Sequence, residues 1–380
     1  MLCGHGLRTS DGRFALGLFL VGAVFLINVP VAIVLIATSP LLPEYRDKNT
    51  KRLDVVSVLL SSFALAILVF GLQEMANNGF DMLYGGSIAI GIALGFLFIK
   101  RQRNSEDPLL DLRLFRIPTF SVSLIVVMLT LLATVGTDML FAQHLQSVLG
   151  LSSTEAGLLL IIPALLSMAG TLISPVLMRW MRPAYAMVSG LIVAAGGSLL
   201  VVFSVHDAGP VILITGVSLL ALGAGPTMTI SSEQIMSSVS KERAGTASAM
   251  SDVCTGLGSA LSIAFIGSIG MLVYRRSLAS SIPAEVPSDI ANTAMENVGA
   301  AVAAADRFPE MLQAIQSSFA VAIQSIYGIA TVGLLSIMII IVWKFRYVRQ
   351  EDTAFSEEKI SLNEEDLKRK EYTKEATSGN

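Results

Sequence analysis

Charge is what this sequence has least of. Asp, Glu, Lys and Arg make up 14% of its 380 residues and hydrophobic residues 53%, where soluble domains carry about 25% charge. With a mean hydropathy of +0.69, the chain has too few polar side chains to face water all round, which excludes an ordinary soluble domain. Cysteine is nearly absent. Cys3 stands near the N-terminus and Cys254 inside an apolar run, so neither a disulfide framework nor a CxxC metal site is supported. The sequence also lacks a GxxxxGK[ST] loop, a metal-ligand cluster and a nucleophile–base arrangement, which argues against an ATP-driven pump or a membrane enzyme. No cofactor and no nucleic-acid partner is expected.

What the sequence has instead is a series of apolar runs of about 17–26 residues, each bounded by polar clusters. That is the length an α-helix needs to cross roughly 30 Å of hydrocarbon. Only helices or closed barrels satisfy every backbone group in lipid, and the runs lack the period-2 alternation of barrel strands. The expected class is all-α, a polytopic membrane protein with about nine spans: Ala15–Pro40, Asp54–Glu74, Leu83–Ile99, Thr119–Ala142, Ala156–Met178, Ala184–Val205, Pro210–Ser231, Ala247–Leu272 and Ala322–Trp343. The first run is too long for a signal peptide and continues into Pro40-Leu-Leu-Pro43-Glu44 without a small-residue cleavage site, so it reads as a spanning helix.

Basic residues set the orientation, because cytoplasmic loops collect Lys and Arg. Sixteen follow the odd-numbered spans, among them Arg52, Lys100, Arg101, Arg103 and Lys344, and five lie on the other side. The expected C-terminus is therefore cytoplasmic, in an inner cell membrane, and the N-terminus outside. An outside N-terminus with no export signal before it implies further helices upstream.

A charged side chain inside a bilayer costs at least about 2.5–3.5 kcal/mol, so an acid there is a candidate for function. Asp252 lies seven residues beyond Gly245, about 10 Å into the bilayer at 1.5 Å per residue. Ser248, Thr255, Gly256 and Ser259 fall beside it on the helical wheel, a narrow polar face that should meet protein or water rather than lipid. Burial raises an acid's pKa and a bound cation lowers it, so proton and cation can compete for one carboxylate. Against that stands an Asp satisfied by its Ser and Thr neighbours.

Asp138 ends an i, i+4 stripe with Thr130 and Thr134, open to readings as an outer cation attractor or as interfacial solvation. Glu233 stands two turns before Lys241, where a salt bridge competes with drug binding. Gly225, Pro226 and Pro163 make two spans bendable, with packing as the alternative. Met128, Met139, Met168 and Met250 with Phe141 would suit a loose pocket for flat cations, though apolar stripes are more often packing. His144 and His206 sit at external helix ends and are expected to be solvated.

Several strings together resemble one family. They are Phe25-Leu-Ile-Asn28-Val-Pro30, Leu42-Pro43-Glu44-Tyr45-Arg46-Asp47 with Arg52-Leu53-Asp54, Pro108-Leu-Leu-Asp111-Leu-Arg-Leu-Phe115-Arg116, Leu149-Gly-Leu-Ser-Ser-Thr-Glu-Ala-Gly157, and Glu242-Arg243-Ala-Gly245-Thr-Ala-Ser248. In order and spacing they resemble the QacA/EmrB-like 14-helix drug:proton antiporters of the major facilitator superfamily. The resemblance implies a partial major facilitator fold. Residues 1–44 would hold the last helix of the N-terminal bundle, and 45–117 an inserted helix pair with a cytoplasmic linker. Residues 118–344 would form the C-terminal six-helix bundle with an external loop at 274–321, followed by a charged cytoplasmic tail at 345–380. It implies proton-coupled efflux of lipophilic, cationic drugs, with the bilayer, such cations and protons as partners. Asp252 matches an acidic drug-site position, while Ser251 and Gly256 stand where relatives can carry further acids. The family's first five helices find no counterpart here, so the alternative expectation is a truncated remnant that inserts without transporting.

Overall fold

The computed structural model describes residues 28–38, 54–78, 81–104, 112–205, 209–240, 243–282, 286–296, 298 and 309–345. The chain divides into two units, Met1–Arg52 and Leu53–Asn380. Of the first unit only helix α1 (Asn28–Thr38) is described, so most of the first expected span, and the charged tail from 346 onward, lie outside the described residues.

Within the second unit, eight of the described helices are long and apolar enough to cross a membrane. α2 (Val55–Asn78) and α3 (Met82–Asn104) form a pair. A short 3-10 turn (Leu112–Arg116) leads into α4 (Pro118–Gln143), which continues as a π-helical turn at His144–Val148. Then come α5 (Ser153–Trp180), α6 (Pro183–Ser204), α7 (Pro210–Ser237), α8 (Ala244–Ser281), the short α9 (Ser288–Glu296) and α10 (Pro309–Phe345).

Local sequence explains where these helices begin. Proline opens α4, α6 and α7, at the position where its missing N–H leaves nothing unpaired. Before α5, Gly150 takes φ +68, a left-handed conformation that favours glycine. Ser152 and Glu155 then close a capping box, with the Ser152 N–H donating to Glu155 Oε2 at 2.9 Å and the Glu155 N–H to Ser152 Oγ at 3.3 Å. The Leu149–Gly157 string is thus a helix stop followed by a helix start. Asp54 caps α2 through Ser57 and is gripped by Arg101 of α3, whose Nε and Nη2 donate to its two oxygens at 3.0 and 3.2 Å. Arg101 first and Ser57 second hold the Asp54 carboxyl down at about 2.

Packing arranges α4 to α8 and α10 in two rows. α5, α7, α4 and α8 stand in that order, each touching the next; α6 lies behind α7, and α10 joins α6, α4 and α8. α2 rests on α8. Lipid tails are as apolar as leucine, so helices in a membrane associate through close backbone approach at small residues. The α6–α7 crossing shows this. A Cβ on Gly190 would stand 2.6 Å from the Gly223 carbonyl oxygen, and one on Gly197 2.5 Å from the Leu220 nitrogen. Pro226 has no N–H to give the Leu222 carbonyl one turn back, and Gly170 of α5 packs directly against that freed oxygen.

The expected external loop at 274–321 is corrected at both ends. α8 runs on to Ser281 and α10 already begins at Pro309. Tyr274 and Leu278 are buried in the core with Met311 and Ile315, so tertiary burial carries both helices beyond the dip in hydropathy at Arg275 and Arg276.

Candidate functional site

The expected site residues fall at two levels of the bundle. Gly258 of α8 backs onto Met128 of α4, where a Cβ would stand 2.7 Å from the carbonyl oxygen. One turn on, Ser262 Oγ donates to the Leu132 carbonyl at 2.8 Å, an offset of 130 residues, and accepts the Gly136 N–H at 2.7 Å. Gly270 meets Leu140 at the same offset, so α4 and α8 run parallel. That register sets Asp252 level with Val122, sixteen residues below Asp138, or about 24 Å at 1.5 Å per residue. The two carboxylates cannot share one bound ion.

Asp252 is exposed, with Gly245, Ala249 and Gly256 exposed on the same strip of α8. A Cβ at Gly245 or Gly256 would meet no described atom within 4 Å. Ser248, Thr255 and Ser259 flank the strip half-buried, and Ser259 Oγ donates to the Thr255 carbonyl at 2.9 Å. Glu233 is exposed on α7 at this same, Pro118 end of the bundle. Between the two acids lies an apolar cluster in which Ile235 joins Phe120, Leu124, Val127, Ala247 and Met250. Lys241, expected near Glu233, lies outside the described residues.

Asp138, one level up, combines an exposed side chain with an otherwise buried helix face: Thr130, Thr134 and Thr137 are buried beside it. Their hydroxyls do not serve it. Thr134 Oγ1 donates to the Thr130 carbonyl at 3.0 Å and Thr137 Oγ1 to the Thr134 carbonyl at 2.6 Å. Beyond Asp138, at the His144 end, a cavity of about 200 Å³ opens between α4, α8 and α10, lined by Met139, Gln143, Gly267, Tyr274, Arg275 and Phe319 among others.

His144 corrects its expectation. It is 2% exposed, stacked between Phe141 and Phe319 with ring centroids 6.4 and 5.9 Å away. The apolar side of the bundle reaches further along α4 than the hydropathy of its last turn suggests. His206 lies outside the described residues. The methionines do not assemble into one pocket either: Met139 lines the cavity, Met168 is exposed and Met250 is buried in the Pro118-end cluster.

Pro163, Gly225 and Pro226 are buried within continuous helices. A Cβ at Gly225 would lie 2.7 Å from the Ser167 carbonyl oxygen of α5, so this glycine is where α5 and α7 touch. Tyr327 was missed in the sequence. It is 0% exposed at the centre of α10, and its one signal there was a phenol inside an apolar run. Among the described residues no group of three His, Cys, Asp or Glu could hold a metal ion.

The sequence profile of the Major Facilitator Superfamily matches residues 12–263. The multidrug efflux pump LfrA of Mycolicibacterium smegmatis is 32% identical over 326 residues, covering 84% of this chain and 63% of that protein. The drug efflux pump JefA of Mycobacterium tuberculosis is 30% identical over 283 residues, 73% of this chain and 55% of JefA. The methyl viologen resistance protein SmvA of Salmonella typhimurium is 27% identical over 315 residues, 78% of this chain and 60% of SmvA. The chain thus spans about three-fifths of the length of these curated relatives. With more than half of its residues matched by the profile and its spans all helical, the chain belongs to the major facilitator superfamily, a family of membrane transporters and not of enzymes.

Proposed function

We propose that this chain works within a proton-coupled efflux antiporter for lipophilic cationic drugs, of the 14-helix branch, in an inner cell membrane with its C-terminus cytoplasmic. Helices α4 to α8 and α10 form its C-terminal half, and α2 and α3 the inserted pair. Asp252 is where proton and cargo take turns. Names of relatives support the cargo class: LfrA and JefA are drug efflux pumps, and SmvA confers resistance to methyl viologen, a flat dication.

The observation that carries the reading is the open strip Gly245–Ala249–Asp252–Gly256. Small residues bring helices together in membranes, yet Gly245 and Gly256 meet no described neighbour, and a carboxylate stands between them. Facing lipid, that carboxylate would be costly. Facing a second six-helix half across a water-filled cleft, it has a use: alternating access is the rocking of two such halves about a site between them. Asp138 and Glu233 act in support, Asp138 drawing cations towards the cleft from the His144 end. Gly225, Pro226 and Pro163 let α5 and α7 bend as the halves rock.

The test is dye efflux from cells that lack their own pumps and express this chain joined to the part of LfrA that it does not cover. The reading predicts ethidium extrusion that stops on adding a protonophore and is lost in Asp252→Asn. A membrane-inserted chimera that extrudes no dye supports the alternative, a remnant that occupies the membrane without transporting.

A further inference from the structure

The α2–α3 pair ends in a hollow at the edge of its apolar surface. Gly71 of α2 packs on Ile88 of α3, and Gly91 of α3 on Leu68 of α2. Residue numbers rise along one helix as they fall along the other, so the pair is antiparallel and the start of α2 lies beside the end of α3. There a hollow of about 480 Å³ is lined by Asp54 at the start of α2 and by Leu97, Lys100, Arg101 and Asn104 of α3. The four α3 residues follow an i, i+3, i+4, i+7 spacing and share one face of that helix.

Its depth follows from the sequence on either side. α2 carries no charged residue from Val55 to Gln73, and α3 none from Met82 to Ile99. Val55, Leu59, Leu97 and Ile99 are exposed next to the hollow, so lipid tails cover the pair up to its rim. The hollow therefore stands where the hydrocarbon ends and phosphate groups begin.

The charge of the lining is positive. Arg101 Nε and Nη2 donate to the two Asp54 oxygens at 3.0 and 3.2 Å, and Nε also to Ser57 Oγ at 3.1 Å. That grip neutralises the one acid in the lining and fixes the guanidinium, whose Nη1 donates to no described residue. Lys100 is exposed beside it, so the lining keeps an excess positive charge that repels cationic cargo. A helix C-terminus attracts cations wherever they stand round its circumference, and Arg103 in the last turn meets that need without lining the hollow. Lys100 and Arg101 differ from it: they share one face, with open volume beside them and exposed apolar surface directly beneath.

We propose that this hollow binds the phosphate of an anionic phospholipid. Lys100 Nζ, Arg101 Nη1 and the Asn104 amide donate to the phosphate oxygens, and the acyl chains run down the exposed face of α3 past Leu97. Asp54 is a positioning residue, holding the guanidinium so that its remaining nitrogen faces the ligand. Charge selects the lipid: a head group with a net negative charge satisfies the lining, whereas a zwitterionic one brings an ammonium to a site already positive. Basic pockets between membrane helices hold anionic head groups in this way.

Native mass spectrometry of the full chain released from detergent tests this without requiring transport, so its failure is separate from failure of the efflux reading. Phosphatidylglycerol should be retained at least about fivefold more tightly than phosphatidylcholine with the same acyl chains, and Lys100→Gln should lose about fivefold in phosphatidylglycerol affinity, the worth of one basic residue at such a surface. Lys100→Arg should restore it. Arg103→Gln removes the same charge one residue outside the hollow and should stay within about twofold of the wild type. Excess inorganic phosphate should leave the adduct in place, because buried acyl chains add binding that a free anion lacks. Equal retention of the two lipids overturns the site, and so does an equal loss in Arg103→Gln and Lys100→Gln, which would reduce it to the general charge of a helix end. Displacement by inorganic phosphate would make the ligand a soluble anion and contradict the lipid assignment. Lys100→Gln should keep the wild-type melting temperature in lipid-free detergent; a fall there would make Lys100 a structural residue and counts against the site.

Discussion

Two glycine-bearing regions of this bundle look alike in the sequence and are opposites in the structure. At the α6–α7 crossing Gly190, Gly197, Gly216 and Gly223 let one backbone lie against the other, with no space for a Cβ. Along the Pro118 end of α8, Gly245 and Gly256 meet no described residue on either side of Asp252. The first region has spent its small residues on closing the bundle. In the second the same residue type faces no described neighbour, and the proposed function gives that side, with the acid on it, to another surface and to charge.

Substitutions at the two regions should therefore fail in different ways. The largest effect is expected from Asp252→Asn: at least a tenfold loss of protonophore-sensitive dye efflux in the transport-competent chimera, with little change in melting temperature. An unchanged rate would reduce the open strip to ordinary surface. Next, Gly223→Val forces a side chain into the Gly190 and Ala194 backbone and should cost about 1–3 kcal/mol or more, read as a lower melting temperature in detergent. Gly256→Val should stay within about 0.5 kcal/mol while slowing efflux, because it alters only the side presented to the other half. Equal destabilisation at both glycines would remove the contrast.

The smallest effect concerns the Asp54–Arg101 grip, which belongs to neither region. Its carboxyl titrates near 2 when folded, against 3.8 for the free group. A depressed folded value contributes stability that is present above about pH 4 and is lost as the pH falls through about 2. Amide exchange at the start of α2, corrected for intrinsic rate, should rise over that window. It should lose this dependence in Arg101→Gln.

The spans from Asp54 onward were legible because hydropathy and helix length report the thickness of the membrane directly. Legibility failed where tertiary burial overrides local polarity. Tyr274 and Leu278 keep α8 helical past the expected end, and an aromatic stack encloses a histidine at a helix end. Asp252 could be singled out because its small polar neighbours lie within two turns of it.

The most direct measurement of the central claim is proton release when a lipophilic cation binds. Tetraphenylphosphonium added to the purified, weakly buffered transporter should release about one proton per cation bound in the wild type, and none in Asp252→Asn. Release that is undiminished in Asp252→Asn would contradict the account and move the exchange of proton and cargo to another group.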